Sequence, residues 1–167
     1  MTAPPIADPI EIELPDLAAT RALGTALGAA LRPGDVVALS GDLGAGKSEL
    51  ARAAIRARLA VPDLEVPSPT FTLVQTYEAP ALEIWHVDLY RLERPGDALE
   101  LGLEEAFADA AMLIEWPGRL GDALPAARLD LCLSVIGAPD TGGDGARRAM
   151  LADPAGAWAT RIEGLRP

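Results

Sequence analysis

Short apolar runs alternate with longer amphipathic stretches along this chain, and that alternation predicts an α/β protein. Ile10-Glu11-Ile12-Glu13-Leu14 switches strictly between apolar and polar, the period of a strand with one covered face. Asp16 offers an N-cap to a helix whose Leu23, Leu27 and Leu31 recur at i, i+4, and Pro33-Gly34 ends it. Val36-Val37-Ala38-Leu39 has no polar position, as a parallel strand buried on both faces requires. Over 49–59 the period is helical again, with Ala51, Ile55 and Leu59 on one face and Arg52 and Arg56 on another. Pro62, Pro67 and Pro69 make 61–70 a loop. Residues 71–77 and 82–88 read as strands joined by a turn containing Pro80, and 97–108 as a helix broken at Gly102. Ala111-Met112-Leu113-Ile114 is a second fully apolar strand, ending at Glu115. A strand over 128–136, a glycine-rich turn over 137–145, a return strand over 147–151 and a short helix within 154–164 complete the pattern. The Pro/Ala-rich residues 1–9 are expected to be loose, and 10–167 to form one domain without repeats or a dividing linker.

Between the apolar strand and the second helix lies Gly41-Asp42-Leu43-Gly44-Ala45-Gly46-Lys47-Ser48, the G-x-x-x-x-G-K-[ST] spacing of a phosphate-binding loop. Its glycines allow consecutive backbone N–H groups to turn inward around a polyphosphate, at the positive end of the helix that follows. Lys47 is the only lysine in the chain. Arginine serves everywhere else, so this position selects a compact ammonium that reaches phosphates between amides. Residues 42–49 are therefore the candidate nucleotide-binding segment, with Ser48 supplying a hydroxyl to a divalent metal.

The groups that complete such a site cluster at the carboxyl ends of strands in open α/β sheets. Glu115 ends an apolar strand and is the candidate metal carboxylate opposite Ser48. Asp88 ends another and is the candidate for orienting or deprotonating an attacking water; the alternative is a local partner for Arg91. Thr70, in Ser68-Pro69-Thr70-Phe71, is placed to sense the terminal phosphate, unless the Pro-stiffened turn merely leads into a strand. Trp116 is expected beside the nucleotide or at the rim of the core. His86 shares strand parity with Asp88, and a hydrogen-bonded structural role is its simplest reading.

The net charge is −11, and the basic residues are scattered, which argues against a broad nucleic-acid grip and leaves room for an acidic docking face. One cysteine, Cys132, excludes an internal disulfide and a cysteine metal cluster, and is expected to be a structural strand residue. No apolar run is long enough to span a bilayer and no leader pattern is present, so the chain is expected to be cytoplasmic.

Together with Glu-Leu-Gly-Leu-Glu-Glu at 100–105, the blocks Gly-Asp-Leu-Gly-Ala-Gly-Lys-Ser at 41–48, Ser-Pro-Thr-Phe at 68–71, His-Val-Asp-Leu-Tyr-Arg at 86–91 and Ile-Glu-Trp-Pro at 114–117 resemble the TsaE (YjeE) family over about residues 10–135. The resemblance implies a single P-loop NTPase domain with a mixed, mainly parallel central sheet, helices on its faces and antiparallel strands at its edge. It implies Mg²⁺-dependent ATP hydrolysis in complex with TsaB and TsaD. Those partners place a threonylcarbamoyl group on the adenosine beside the tRNA anticodon (t6A), so tRNA is met only through them. By resemblance Lys47 and Ser48 are phosphate and Mg²⁺ residues, Glu115 the metal carboxylate, Asp88 catalytic, Thr70 switch-like, and Trp116 near the nucleotide. The family's loop usually ends Gly-Lys-Thr-Thr. Here Ser48 keeps the hydroxyl, while Glu49 brings a carboxylate near phosphates and is expected to turn outward and pair with Arg52. Gly118-Arg119 stands where the family often carries another acid.

Two other readings of the P-loop remain open at this point. A small-molecule kinase would need a basic lid, and 62–70 holds no Arg or Lys. A nucleotide-gated assembly factor would need binding but little hydrolysis. ATP rather than GTP follows from the resemblance; no N-K-x-D segment is present.

Overall fold

A computed structural model describes residues 8–137 and 145–166. The expected loose segment over 1–9 and the expected turn over 137–145 lie almost entirely outside the described residues. Among the described residues seven strands form one sheet: β1 (Ile10–Leu14), β2 (Val36–Ser40), β3 (Val74–Ala79), β4 (Leu82–Asp88), β5 (Ala111–Glu115), β6 (Leu129–Val135) and β7 (Arg147–Ala152). Their order is β1-β7-β6-β2-β5-β4-β3. The four central strands β6, β2, β5 and β4 run parallel, while β3 at one edge and β7 and β1 at the other are antiparallel. The mixed sheet with antiparallel edges is the expected fold class. The two innermost strands, β2 and β5, carry the most apolar sequences because both their faces are covered.

One face of the sheet packs on α1 (Leu17–Ala30) and α2 (Lys47–Leu59). Asp16 caps α1, its Oδ1 accepting from the Ala19 N–H at 2.8 Å. Leu23, Leu27 and Leu31 are buried against Val37, Leu39, Leu113 and Leu131, so the i, i+4 leucines face the sheet as their spacing predicts. The two helices lie close because α1 is bare at the contact. A Cβ on Gly28 would stand 2.2 Å from the Ala54 carbonyl oxygen. The opposite face packs Val36, Met112 and Ile114 against Leu89, Leu103 and Leu120, which come from the loops after β4 and β5 and from α3 (Leu103–Ala106). Alternate residues of β5 serve alternate faces, so every one of its residues is buried.

Several expectations are corrected. The strand expected over 71–77 begins at Val74, because Leu73 has φ 65° and its N–H closes a turn onto the Pro69 carbonyl at 2.7 Å. Phe71 is left 79% exposed. The helix expected over 97–108 is a 3-10 segment, Pro95–Leu101, followed by the single turn of α3, with the break at Gly102 (φ 71°) where it was expected. In the tail only Ile162–Leu165 is helical, and it is 3-10. Cys132 is on a strand, β6, but is exposed rather than buried. No helix among the described residues is long and apolar enough to cross a membrane.

Candidate functional site

The parallel strands end together, and the chemistry-bearing residues follow from that. In register, Leu39 of β2 lies beside Glu115 of β5, and Asp88 of β4 lies on its other side. The chain leaves β2 into Gly41, whose φ of 134° and 2.2 Å Cβ approach to the Leu133 carbonyl exclude any other residue. The loop closes with the Ala45 N–H on the Asp42 carbonyl at 3.0 Å and enters α2 through Gly46, φ 108°.

Lys47 is the first residue of α2 and is buried. Its Nζ donates to the carbonyls of Gly41 at 2.7 Å and Asp42 at 2.8 Å, and lies 4.3 Å from the centre of the Trp116 ring. Burial lowers its pKa, and the opposing pull of the Glu115, Asp88 and Asp42 carboxylates only partly offsets that. Ser48 Oγ donates to Glu115 Oε1 at 2.7 Å. Burial pushes the Glu115 carboxyl up, but the His86 imidazole, the Ser48 hydroxyl and the Lys47 ammonium outweigh it and hold it below the ordinary carboxylate range.

Asp88 is held from two sides. Its Oδ1 accepts from the Tyr90 N–H at 3.0 Å and its Oδ2 from Thr70 Oγ1 at 3.3 Å, with the Ser68 hydroxyl 3.0 Å from that of Thr70. Trp116 takes φ 59°, a costly left-handed conformation for a side-chain-bearing residue, and its ring packs on Tyr90 at 5.1 Å between centroids. Gly44, Lys47, Thr70, Asp88, Glu115 and Trp116 surround a cleft of about 390 Å³, within the range of small-ligand sites.

Residues 14–139 match the model of the family described as Threonylcarbamoyl adenosine biosynthesis protein TsaE. The chain belongs to the TsaE family. It is 39% identical over 117 residues to the tRNA threonylcarbamoyladenosine biosynthesis protein TsaE of Rickettsia bellii, covering 70% of this chain and 81% of that one. The Bacillus subtilis protein of the same description is 35% identical over 119 residues, 71% of this chain and 73% of that one. The crystal structure of Bacillus subtilis YdiB superposes with a TM-score of 0.75 at 25% identity, over 99% of this chain and 95% of that one.

Against this TsaE-family fold, the residues singled out in the sequence fall as follows. Lys47, Ser48, Thr70, Asp88, Glu115 and Trp116 line one cleft with Leu43, Gly44, Gly46 and Glu49, although Leu43 stands mostly exposed at its lip. Asp42 and Ala45 do not line it; they act through backbone, Asp42 by accepting from Lys47. Glu49 turns to Arg52 at 2.8 Å, as its spacing predicts, and also to Arg21 of α1 at 3.3 Å. These two arginines outweigh the effect of burial and lower its pKa. Arg52 Nε further donates to the Val66 carbonyl at 2.8 Å, tying the Pro-rich loop to α2.

Sequence reasoning missed Arg147. Its Nε donates to the Ala45 carbonyl at 3.0 Å and Nη2 to the Gly44 carbonyl at 3.3 Å, while Nη1 donates to Gly145. It braces the glycine loop from β7, about a hundred residues away in sequence, where no spacing signal reaches.

Proposed function

We propose that this protein is an ATPase subunit of tRNA threonylcarbamoyladenosine synthesis, hydrolysing Mg²⁺-ATP in complex with TsaB and TsaD. Family membership supports the pathway. The observation that carries the chemistry is the meeting of Lys47, Ser48, Glu115 and Asp88 at the carboxyl ends of β2, β5 and β4.

The donor set suits magnesium. Ser48 Oγ and Glu115 Oε1 are hard oxygens 2.7 Å apart, and the carboxyl is held in its ionised form. Among the described residues no group of three or more His, Cys, Asp or Glu stands ready to hold a metal alone. The remaining ligands are therefore left to phosphate oxygens and water, the usual share for magnesium. When bound, Mg²⁺ supplies positive charge to the polyphosphate.

The chain's own residues do the rest. Lys47 exchanges its hold on the Gly41 and Asp42 carbonyls for phosphate oxygens, offering a cation whose burial has already removed most of its water. Asp88 aligns the attacking water and accepts its proton, and Thr70 fixes the carboxylate from the loop side. Trp116 and Tyr90 shield the cleft, the tryptophan over the ammonium. The net charge of −11 suits a subunit that leaves tRNA to its partners.

The test is ATP hydrolysis with Mg²⁺ by the purified chain, alone and with TsaB and TsaD. Stimulation by the pair, lost in Glu115→Ala and in Asp88→Ala, is the expected result, with Asp88→Ala still binding nucleotide. Hydrolysis indifferent to both partners, or a phosphorylated small molecule as product, would reject the reading.

A further inference from the structure

His86 is sealed in the protein, with 0% of its side chain exposed, and its Nε2 lies 3.4 Å from Glu115 Oε2, itself only 2% exposed as a side chain. Among the described residues, neither imidazole nitrogen nor that carboxylate oxygen has a hydrogen-bond partner. Buried polar atoms are rarely left so unless the site is finished by something else. The two ends of the Glu115 carboxylate are thus unlike. Oε1 meets the Ser48 hydroxyl at the cleft, and Oε2 faces the imidazole behind it. β4 enforces the arrangement: His86 stands beside Leu113 and Asp88 beside Glu115, so one strand carries both side chains on the same face, two residues apart.

We propose that His86 is a positioning residue for Glu115, its Nε2–H gripping Oε2 from the rear so that Oε1 is aimed at Ser48 and the cation. With the proton on Nε2, the ring's one N–H faces Glu115 Oε2 at 3.4 Å, and Nδ1 carries only a lone pair. Partners of this kind orient a metal-binding carboxylate, and their loss typically costs about 10–100-fold in metal affinity. The hold is slack at 3.4 Å, and hydrogen bonds in ligand-free sites commonly tighten when the ligand arrives.

The inference rests on the Mg²⁺-nucleotide reading, and the experiment separates the two. Binding of a fluorescent ATP analogue to the full chain is titrated with Mg²⁺ and repeated in EDTA, for the parent, His86→Leu, His86→Gln and Glu115→Gln. Leucine fills the core without a donor; glutamine restores one. His86→Leu should raise the Mg²⁺ concentration for half-maximal binding about tenfold and leave affinity in EDTA unchanged. His86→Gln should recover most of the loss. In the Glu115→Gln background, His86→Leu should add nothing. Equal weakening with and without Mg²⁺, or a Mg²⁺ shift under about twofold, would overturn the assignment. Parent binding that ignores Mg²⁺ would overturn the metal reading, and this inference with it. Thermal melting checks that each variant folds, and His86→Met replaces His86→Leu if the latter does not.

Discussion

Glu115 is a carboxylate kept charged inside the protein, and that makes acid stability a readout of the site. Its folded pKa lies below the ordinary 4.5. A depressed carboxyl contributes stability that is fully present above the unfolded value and is lost as pH falls through the folded one. The stability difference between parent and Glu115→Gln should therefore be constant from pH 7 to about 5 and shrink below about 4.5, as measured by denaturant unfolding across that range. A difference independent of pH would mean that the carboxyl is not held ionised. Glu49 makes the opposite case. Its charge sits among phosphate-binding residues but is spent on Arg52 and on the half-exposed Arg21. Exposed pairs are worth about 0–1 kcal/mol. Glu49→Thr should tighten ATP binding no more than about threefold, read by direct titration, and a gain beyond tenfold would show that the acid repels nucleotide despite its partners. The pairing with Arg52 was legible from the i, i+3 spacing. The one with Arg21 was not, because it depends on how α1 lies across α2.

Elements built from unbroken apolar or strictly alternating runs, β1, β2 and β5, fall within a residue of where the pattern puts them. They are single-cause elements: burial alone dictates them. Thr70-Phe71-Thr72-Leu73 alternates just as well yet forms no strand, since the tie of Thr70 to Asp88 and the turn onto Pro69 pull it out of line. Those are tertiary causes, as are the long-range contacts of Arg147 and His86. Cys132 shows the same limit. β6 has one covered face, and strand parity sets the cysteine on the other, against the usual burial of free thiols. The α1–α2 contact gives a test at this scale. In an isolated helix Gly28→Ala would gain about 1 kcal/mol. Here its methyl would meet the Ala54 backbone at 2.2 Å, and overpacking costs about 1–3 kcal/mol. Gly28→Ala should destabilise in denaturant unfolding. It should also weaken nucleotide binding, because the helix pushed aside is the one that presents Lys47 and Ser48. A stabilised variant with unchanged binding would show that the helices separate without cost.

Across the whole molecule, the cleft occupies the carboxyl ends of the central strands, and a second polar knot holds their amino ends. Asp35 precedes β2 and pairs through both oxygens with Arg161 from the tail, at 2.6 and 2.9 Å. The pair is about nine-tenths buried, and Asp35 Oδ2 also accepts from the Arg32 N–H at 2.7 Å. Arg161 further donates to the Ala30 carbonyl at 2.8 Å, at the end of α1, and its guanidinium lies 3.9 Å from the centre of the buried Trp158 ring. One side chain thus joins tail, helix and strand. Removing it strands a charge in the interior, which costs about 3–5 kcal/mol. At about 2–4 °C per kcal/mol for a chain of this size, Arg161→Met should lower Tm by roughly 6–20 °C. Asp35→Asn in the same chain should recover part of that loss, since the amide keeps the Arg32 bond without the unpaired charge. Nucleotide affinity of the folded Arg161→Met protein should stay within about twofold, because the knot and the cleft lie at opposite ends of the strands. A loss of affinity equal in both variants would place the tail in the site's own support. Failure of Asp35→Asn to recover stability would assign the tie to its packing on Trp158 rather than to its charge.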